Sequence, residues 1–455
     1  MPSAEKSINR LLDRFGLDRP ELRAWALYDW ANSAFFLTVV ATVFPIFFLD
    51  VAADGLPRAV GAERYSWATS LALLVIALAA PVLGAMADYG GFKKRFLGSF
   101  LALGATATAC MFFIHQGQWL FAVVLFGLAN IGVQGSVVFY DSLLPHVARR
   151  DEIDRVSSAG FALGYLGSSM LLALQLAWIL KPAWFGLPTG AGITPDQASL
   201  PVRLAFVSVA VWWIGFAIPL FRRVSEPVPQ LEPDERPGQN PLAVAIRRLR
   251  ETFQELRAYR HAFLMLLAFL VYNDGIGTIV RMATLFGAEI GIGRGVLIGA
   301  ILLVQVIGVP FALLFGRLAG RIGAKRAILI GLTIYVGVAS YAYFIDSAIE
   351  FFGLAIFVGM VQGGCQALSR SLFASMVPRH KSSEFFGFYG VLEKFAGVLG
   401  PAIFAMTIRL TGSSRHAILS VIVFFVVGAL LLSRVNVEAG RAAARRADEG
   451  RPAGP

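Results

Sequence analysis

The chain has 455 residues, of which 57% are hydrophobic and only 15% are charged, whereas about 25% of the residues in a soluble domain are charged. Its formal net charge of +11 accompanies apolar runs of about 20 residues or more along the whole length, each able to cross a hydrocarbon layer about 30 Å thick. This composition excludes an ordinary soluble protein with buried helices, and a disulfide framework is excluded because Cys110 and Cys365 both lie within apolar runs.

Twelve apolar runs are predicted to be transmembrane helices, because a backbone in lipid must satisfy its hydrogen bonds within its own segment. The N-terminal tail, 1–23, lacks the apolar core of a cleavable signal peptide. Six spans form a first bundle, 24–221, and six form a second bundle, 261–434. The predicted spans are 24–49, 64–87, 95–115, 118–145, 156–180, 201–221, 261–289, 296–316, 326–345, 350–377, 385–409 and 415–434.

The connection between the bundles, 222–260, is predicted to have two parts. Residues 225–241 are rich in proline and polar side chains, which is typical of a flexible linker. The next segment has the pattern of an amphipathic helix, which either lies on the anionic cytoplasmic leaflet or packs beneath the bundle. Its apolar face comprises Leu242, Ile246, Leu249, Phe253 and Leu256.

Basic residues are distributed unequally between the two sides of the predicted bundle. Of the 40 Lys and Arg residues, 30 lie in the tails and in the connections on the side of both termini, and 7 lie in the opposite loops. The positive-inside rule therefore places both termini in the cytoplasm. The C-terminal tail, 435–455, is predicted to be disordered, and the positive charge indicates topology, not a nucleic-acid partner.

A basic, glycine-rich turn occurs twice, about 232 positions apart, as GAMADYGGFKKR from Gly84 and as GRLAGRIGAKR from Gly316. On this offset Lys93 corresponds to Lys325, and Gly320 stands where the first copy has Asp88. Glycine allows one helix to end and the next to begin within a few residues. We expect a charged latch that favours one conformation, weaker in the second copy. The predicted latch residues are Gly84, Asp88, Gly91, Lys93, Arg95, Gly316, Gly320, Gly323, Lys325 and Arg326.

This turn resembles the signature loop of the major facilitator superfamily, which recurs between spans 2 and 3 and between spans 8 and 9. Four longer strings resemble the bacterial branch of a family that includes the autophagy-related vacuolar amino-acid effluxers. The resemblance covers about 24–434 and implies an all-α membrane protein with two pseudo-symmetric six-helix bundles, alternating access and export of small solutes, with amino acids among the candidates. The strings are ALYDWANSAF (26–35), VYNDG (271–275), QGGCQALSRSLF (362–373) and EFFGFYG (384–390).

Polar side chains within the spans concentrate in spans 1, 4, 7, 10 and 11, and the first four of these line the central pathway in the superfamily that the turn resembles. An ionisable group at mid-bilayer costs about 2.5–3.5 kcal/mol, so each one needs a partner, a wet cavity or a function. A single Asn or Gln can equally form an interhelical hydrogen bond. The candidate solute ligands are Tyr28, Asn32, Asn130, Gln134, Tyr140, Tyr272, Asn273, Gln362 and Gln366.

Charged residues within the spans are predicted to form a gate and a proton site. The gate is expected towards the cytoplasmic side, where ion pairs would form when that side closes. Asp274 is the first candidate for proton coupling and Asp29 the second, since a buried carboxylate can load and release protons; a structural ion pair is the alternative for both. The gating and coupling candidates are Asp29, Asp141, Asp274, Arg370, Glu393 and Lys394.

These features predict a secondary transporter that moves a small polar solute, with proton coupling as an option, in a bacterial inner membrane. The sequence lacks the phosphate-binding GxxxxGK[ST] loop and the GxSxG elbow, so neither an enzyme nor a cofactor is expected. The scattered histidines predict no metal site. The expected partners are the solute, protons and the lipid bilayer, and a monomer suffices. The alternatives are a transport-incompetent receptor or scaffold on the same fold, and an uncoupled facilitator or uptake carrier.

Overall fold

The computed structural model describes residues 15–190, 192–232, 235–254, 259–289, 292–395, 399–411 and 414–449. The regular elements in these ranges are helices. Within them, 11 helical segments are long and apolar enough to cross a membrane. The all-α membrane fold predicted from the sequence is therefore confirmed.

The first half of the molecule contains six long helices, which match the six predicted spans. The first helix continues to Ala52 through two wider π-helical stretches, Phe36–Thr42 and Phe48–Ala52. The helices are α1 Pro20–Phe35, α2 Arg58–Gly90, α3 Lys93–Cys110, α4 Trp119–Val147, α5 Ile153–Leu180 and α6 Pro195–Arg223.

The second half follows a short connecting helix, α7, Pro241–Gln254. The predicted span 385–409 corresponds to α12 and α13, between which 396–398 lie outside the described residues, and the predicted span 415–434 corresponds to α14 and α15. The other predicted spans of this half each correspond to one helix. The remaining helices are α8 Arg260–Glu289, α9 Arg294–Ile322, α10 Ala324–Ala342, α11 Ala348–Met376, α12 Ser382–Phe395, α13 Leu399–Thr411, α14 Ser414–Ser420, α15 Ile422–Ser433 and α16 Val437–Glu449.

The two halves pack against each other mainly through α2 on α12 and α5 on α9. Glycines allow these backbones to approach closely. A Cβ atom on Gly387 of α12 would lie only 2.7 Å from the Cα atom of Pro81 in α2, and one on Gly316 of α9 would lie 2.7 Å from the Cβ atom of Ser158 in α5. Small residues at helix contacts are typical of membrane proteins, where close packing drives association.

The connecting helix α7 packs beneath the bundle, against α2. Its buried face consists of Val244, Ala245, Arg248 and Thr252. Arg248 forms a buried ion pair with Glu235, Nη2 to Oε2 2.6 Å, and this pair ties α7 to the preceding linker. The predicted apolar face points elsewhere, since Leu242 and Ile246 are exposed and Leu249 is partly buried, while the side chains of Phe253 and Leu256 lie outside the described residues.

The C-terminal tail corrects one prediction, because Val437–Glu449 form α16 instead of a disordered segment. This stretch consists mostly of alanine and arginine. Such a composition predicts disorder because it provides few large apolar side chains to bury. It orders through small contacts instead: a Cβ atom on Gly440 would lie 2.8 Å from Met376 Sδ. Asp448 accepts hydrogen bonds from the Arg379 backbone, 2.9 Å, and from Arg150 of the first half, 3.2 Å.

Candidate functional site

Several polar contacts join the two halves at one end of the bundle. This tail end comprises the α2–α3, α4–α5, α9–α10 and α11–α12 connections together with α7 and α16. Ser371 of α11 donates to Asp154 of α5, 2.5 Å, and Ser157 of α5 donates to the carbonyl of Ala367, 2.8 Å. The tail end is thus closed by helices from both halves.

The charged centre of this closure is the Arg370 cluster, formed by Arg370 of α11 with Asp29 of α1, Asp141 of α4 and Ser157 of α5. Arg370 Nη2 lies 2.9 Å from Asp29 Oδ2, and Nη1 lies 3.0 Å from Asp141 Oδ1. Its Nε donates to Ser157 Oγ, 2.9 Å, and its Nη2 donates to the Ser157 carbonyl, 3.0 Å. One guanidinium of the second half therefore binds three helices of the first.

Aromatic rings exclude water from the Arg370 cluster. The guanidinium carbon lies 4.5 Å from the centre of the Phe161 ring and 4.9 Å from that of Trp25. Trp25 stacks on Tyr140 with ring centres 4.6 Å apart and donates to the Tyr140 carbonyl, 3.1 Å. Asp29, Asp141 and Arg370 are buried, at 7%, 6% and 3% exposure. In so dry a place, each charge depends on its partners for stability.

A second inter-half contact, the Asp88 latch, comprises Asp88, Lys93 and His146 of the first half with the N-terminus of α12. Asp88 accepts from the backbone N–H groups of Ser383, 3.2 Å, and Glu384, 2.8 Å, and pairs with Lys93 at 2.6 Å. A carboxylate at a helix N-terminus satisfies free N–H groups and complements the positive end of the helix dipole. Lys93 also donates to Ser382 Oγ, 2.5 Å, and the His146 ring lies 3.1 Å from that hydroxyl.

The second copy of the turn differs from the predicted correspondence by one residue. Lys325 of α10 donates to the carbonyls of Ser433, 2.6 Å, and Val435, 2.8 Å, at the end of α15. In the first half Lys94, not Lys93, makes the equivalent contacts, to Phe221 at 3.0 Å and Val224 at 2.6 Å. Lys94 is three residues after Gly91, whereas Lys325 is two residues after Gly323, so the first turn has one extra residue before the equivalent lysine. Lys93 therefore has no structural counterpart.

The remaining predicted latch residues do not bridge the halves by charge. Gly91 ends α2 with φ 64° and Gly323 ends α9 with φ 86°, left-handed values that favour glycine. Gly84 lies against the Ser383 carbonyl, whereas a Cβ atom on Gly320 would meet nothing within 4 Å. Arg95 lies over the Phe92 ring at 5.1 Å, and Arg326 is exposed.

Replacing Asp88 with asparagine should loosen the tail end. The variant leaves the buried Lys93 without its counterion and removes a charged acceptor from α12, a loss of about 2 kcal/mol. We expect maleimide to label a cysteine at Ser383 about tenfold faster or more, in a background without Cys110 and Cys365.

Asp50→Asn is the matched control for this experiment, because Asp50 is half exposed and lies beside Arg58 at the opposite end, 3.3 Å away. It should leave the labelling rate unchanged. An equal rate in Asp88→Asn and the parent would show that the latch does not hold the tail end closed.

The predicted solute ligands separate into two groups. Several are already engaged in helix contacts: the ring centre of Tyr140 lies 5.6 Å from the guanidinium carbon of Arg370 and 4.8 Å from the ring centre of Tyr28. Asn130 donates to the Phe126 carbonyl of its own helix, 3.0 Å, and Tyr272 lies 2.5 Å from Ser369 Oγ. These four side chains are buried. Their rings and the Asn130 amide thus form helix contacts, while the hydroxyls of Tyr28 and Tyr140 have no hydrogen-bond partner among the described residues.

The second group retains capacity for hydrogen bonding. Among the described residues, the buried side-chain atoms without a hydrogen-bond partner include Gln134 Oε1 of α4, Gln362 Oε1 of α11 and Asn32 Nδ2 of α1. Gln134, Gln362 and Gln366 are partly buried, while Asn32 is almost fully buried. Buried polar groups in proteins normally have partners, so these atoms are available to a solute or to water. Asn273, at 9% exposure, adjoins Tyr272 on α8.

The three remaining charged candidates, Asp274, Glu393 and Lys394, have different surroundings. Asp274 of α8 is 1% exposed and accepts from the Gly400 N–H of α13, 2.9 Å, so its carboxylate supports a contact inside the second half. Glu393 of α12 is partly buried and interacts electrostatically with Asp141. The side chain of Lys394 lies outside the described residues.

Sequence reasoning missed several members of these clusters, among them Ser157, His146 and the aromatic rings of Trp25 and Phe161. Serine and aromatic residues are common in membrane helices and carry no periodic signal, so their role appears only once α4, α5 and α11 are brought together. The Asp88 contact with α12 could not be predicted either, because it joins positions almost 300 residues apart in the sequence.

The chain is similar to known proteins over most of its length. The family described as "Vacuole effluxer Atg22 like" matches residues 65–445. The chain is 38% identical to "Uncharacterized MFS-type transporter YxiO" of Bacillus subtilis, over 91% of this chain and 94% of that protein. It is 27% identical to autophagy-related protein 22 of Yarrowia lipolytica, over 63% of this chain and 51% of that protein.

Solved structures share the fold at low identity. The major facilitator superfamily transporter FucP in the outward conformation matches with a TM-score of 0.64 and 12% identity, over 92% of this chain and 100% of that one. The proton:xylose symporter XylE, bound to a glucose analogue, matches with a TM-score of 0.67 and 13% identity, over 93% of this chain and 97% of that one.

Proposed function

Because the chain belongs to the vacuole effluxer Atg22-like family and is a multi-pass transporter of the major facilitator superfamily, not an enzyme, we propose that it is a secondary carrier that exports a small polar solute by alternating access. The observation that carries this proposal is the Arg370 cluster, in which one arginine of the second half binds two carboxylates of the first at a single end of the bundle.

The tail end is the cytoplasmic end in this proposal, and the membrane is a bacterial inner membrane. The basic residues of the tails and connections support that orientation, and the Bacillus relative supports the location. With the tail end closed, this conformation separates the proposed solute ligands from the cytoplasm.

The solute is proposed to be neutral overall and rich in hydrogen-bonding groups. Gln134 and Gln362 come from opposite halves and offer free amide oxygens, and Asn32 offers a free amide nitrogen. Amides recognise donors and acceptors on one ligand without requiring a net charge. Amino acids fit this description, and the effluxer name of the family supports both the substrate class and the export direction.

Transport by purified protein in liposomes tests the function directly. Labelled amino acids and related neutral solutes should cross when the protein is present, with and without an imposed pH difference, and the Gln134→Leu/Gln362→Leu variant should lose uptake at low solute concentration. Absence of flux for every solute and gradient would favour the receptor or scaffold alternative.

Proton coupling is proposed to use Asp29 in preference to Asp274. Asp29 and Asp141 face a single arginine, so the Arg370 cluster has one negative charge in excess and can accept a proton, whereas Asp274 supports α13 through Gly400. Asp29→Asn should abolish acceleration of transport by a pH difference while solute exchange without a gradient persists.

Asp274→Asn is the matched control for the coupling experiment, since it neutralises a buried carboxylate elsewhere. It should keep the response to the pH difference. If Asp274→Asn loses this response and Asp29→Asn keeps it, the proton site is Asp274. If both keep it, another group carries the proton, whereas a parent protein without any response is an uncoupled facilitator.

A further inference from the structure

An open cavity of about 560 Å³ lies at the tail end of the second half. The α9–α10 turn, the end of α15 and the start of α16 line it. Arg441 lies 3.7 Å from Glu438, the one acid of the lining. Arg326 and Arg434 are exposed and form no ion pair with any described residue. The cavity is therefore a basic site with unneutralised charge.

The first half shows what the equivalent position binds. There Lys94 contacts the end of α6, and the backbone N–H of Lys94 donates to both carboxylate oxygens of Glu226, at 2.9 and 3.2 Å. Glu226 belongs to the linker and so supplies an anion to the N-terminus of α3. A carboxylate in this place complements both the lysine and the positive end of the helix dipole.

The second half repeats this arrangement without the anion. Lys325 contacts the end of α15 as Lys94 contacts the end of α6. The N-terminus of α10, at Gly323 and Ala324, forms part of the cavity wall. The acid in the lining, Glu438, is next to Arg441 on α16. The repeat thus provides an anion site in one half and an open basic cavity in the other.

The cavity also ends an apolar surface that faces the lipid. Val423, Val427 and Leu430 are 59%, 39% and 58% exposed and follow one face of α15 towards Arg434. On the adjacent helix α10, Ile330 is 43% exposed one turn from Arg326. The two helices contact each other through Tyr335 and Phe425, whose rings stack with centres 4.9 Å apart. Both rings are fully buried, so this contact is on the inner sides of the helices, and the outer faces of α10 and α15 lead from exposed apolar side chains to two arginines.

We propose that this cavity binds the phosphate of an anionic lipid, with Arg326 and Arg434 as its principal cationic ligands. The acyl chains lie along the outer faces of α10 and α15, and the phosphate takes the place that Glu226 has in the first half. Basic pockets between transmembrane helices at the level of the headgroups are suited to such lipids. A soluble phosphate ester shares the headgroup chemistry but gains nothing from the apolar outer faces.

Native mass spectrometry of the full-length protein in detergent micelles tests the site, with dioleoylphosphatidylglycerol as the probe and dioleoylphosphatidylcholine for comparison. The parent protein should bind the anionic lipid more tightly. Arg326→Gln/Arg434→Gln should weaken that binding roughly thirtyfold, since each basic side chain near an anionic lipid contributes a factor of about five. Arg326→Lys/Arg434→Lys should retain most of it, which separates loss of charge from loss of fold.

Arg222→Gln/Arg223→Gln is the matched control, because these exposed arginines end α6 in the first half, where Glu226 already supplies the anion. This variant should bind the lipid as the parent does. Equal lipid affinity in the parent and in Arg326→Gln/Arg434→Gln would overturn the proposal. Displacement of the lipid by equimolar sn-glycerol 3-phosphate would also overturn it and identify a soluble phosphate as the ligand.

Discussion

Replacing Arg370 with alanine should abolish transport. The variant leaves Asp29 and Asp141 buried and close together without the cation that both contact. Removing one partner of a buried ion pair costs about 3–5 kcal/mol, which is larger than the difference of a few kcal/mol that separates the conformations of a typical carrier. The closed tail end should therefore become rare, and we expect solute flux in liposomes to fall at least about a hundredfold.

Two further variants separate the gate from the fold. Arg409→Ala removes an exposed arginine from α13 and should leave flux unchanged. Arg370→Ala/Asp29→Asn/Asp141→Asn removes all three charges together, so the unpaired carboxylates disappear and thermal stability should recover towards that of the parent. If Arg370→Ala retains normal flux, the ion pairs of the Arg370 cluster are not part of the transport cycle.

The helices of this protein were predictable because the lipid environment leaves few choices. A run of about 20 apolar residues in a membrane must be helical, and the spans followed from such runs without knowledge of any contact. The meeting of Asp29, Asp141 and Arg370 could also be anticipated, because each is too costly to bury in a membrane alone.

The contacts of single side chains could not be predicted in the same way. The repeated turn suggested that Lys93 corresponds to Lys325, but one inserted residue moves Lys94 into that role. Residue spacing predicts which side chains share one face of a helix. Which residues of the two halves correspond structurally depends on the geometry of each turn. Likewise, the free amide atoms of Gln134 and Gln362 are distinguished from the engaged amide of Asn130 only by their neighbours.

The C-terminal helix α16 shows a third limit of sequence reasoning. The helix is ordered by contacts with Met376, Arg379 and Arg150, which are distant from α16 in the sequence. A segment rich in alanine and arginine has little apolar area of its own to bury, so its composition alone resembles that of disordered chains. Contacts with the folded remainder of the protein stabilise this helix, although its own composition does not predict it.

A disulfide between cysteines at Ser142 and Ser383 should stop transport while leaving the fold intact. Ser383 of α12 donates to Ser142 of α4 with 3.1 Å between the hydroxyl oxygens, so the two side chains meet across the halves at the tail end. In a background without Cys110 and Cys365, oxidation of Ser142→Cys/Ser383→Cys should reduce solute flux below about a tenth of the parent value. Reduction with dithiothreitol should restore it.

The single variants Ser142→Cys and Ser383→Cys, oxidised in the same way, should transport normally, because neither can join the halves. The experiment tests the mechanism independently of the charges, since a covalent bond replaces the Asp88 latch and the Arg370 cluster alike. Alternating access requires α4 and α12 to separate when the tail end opens. A crosslinked protein that still transports at the parent rate would show that this interface stays closed throughout the cycle, and the solute path would then have to lie elsewhere.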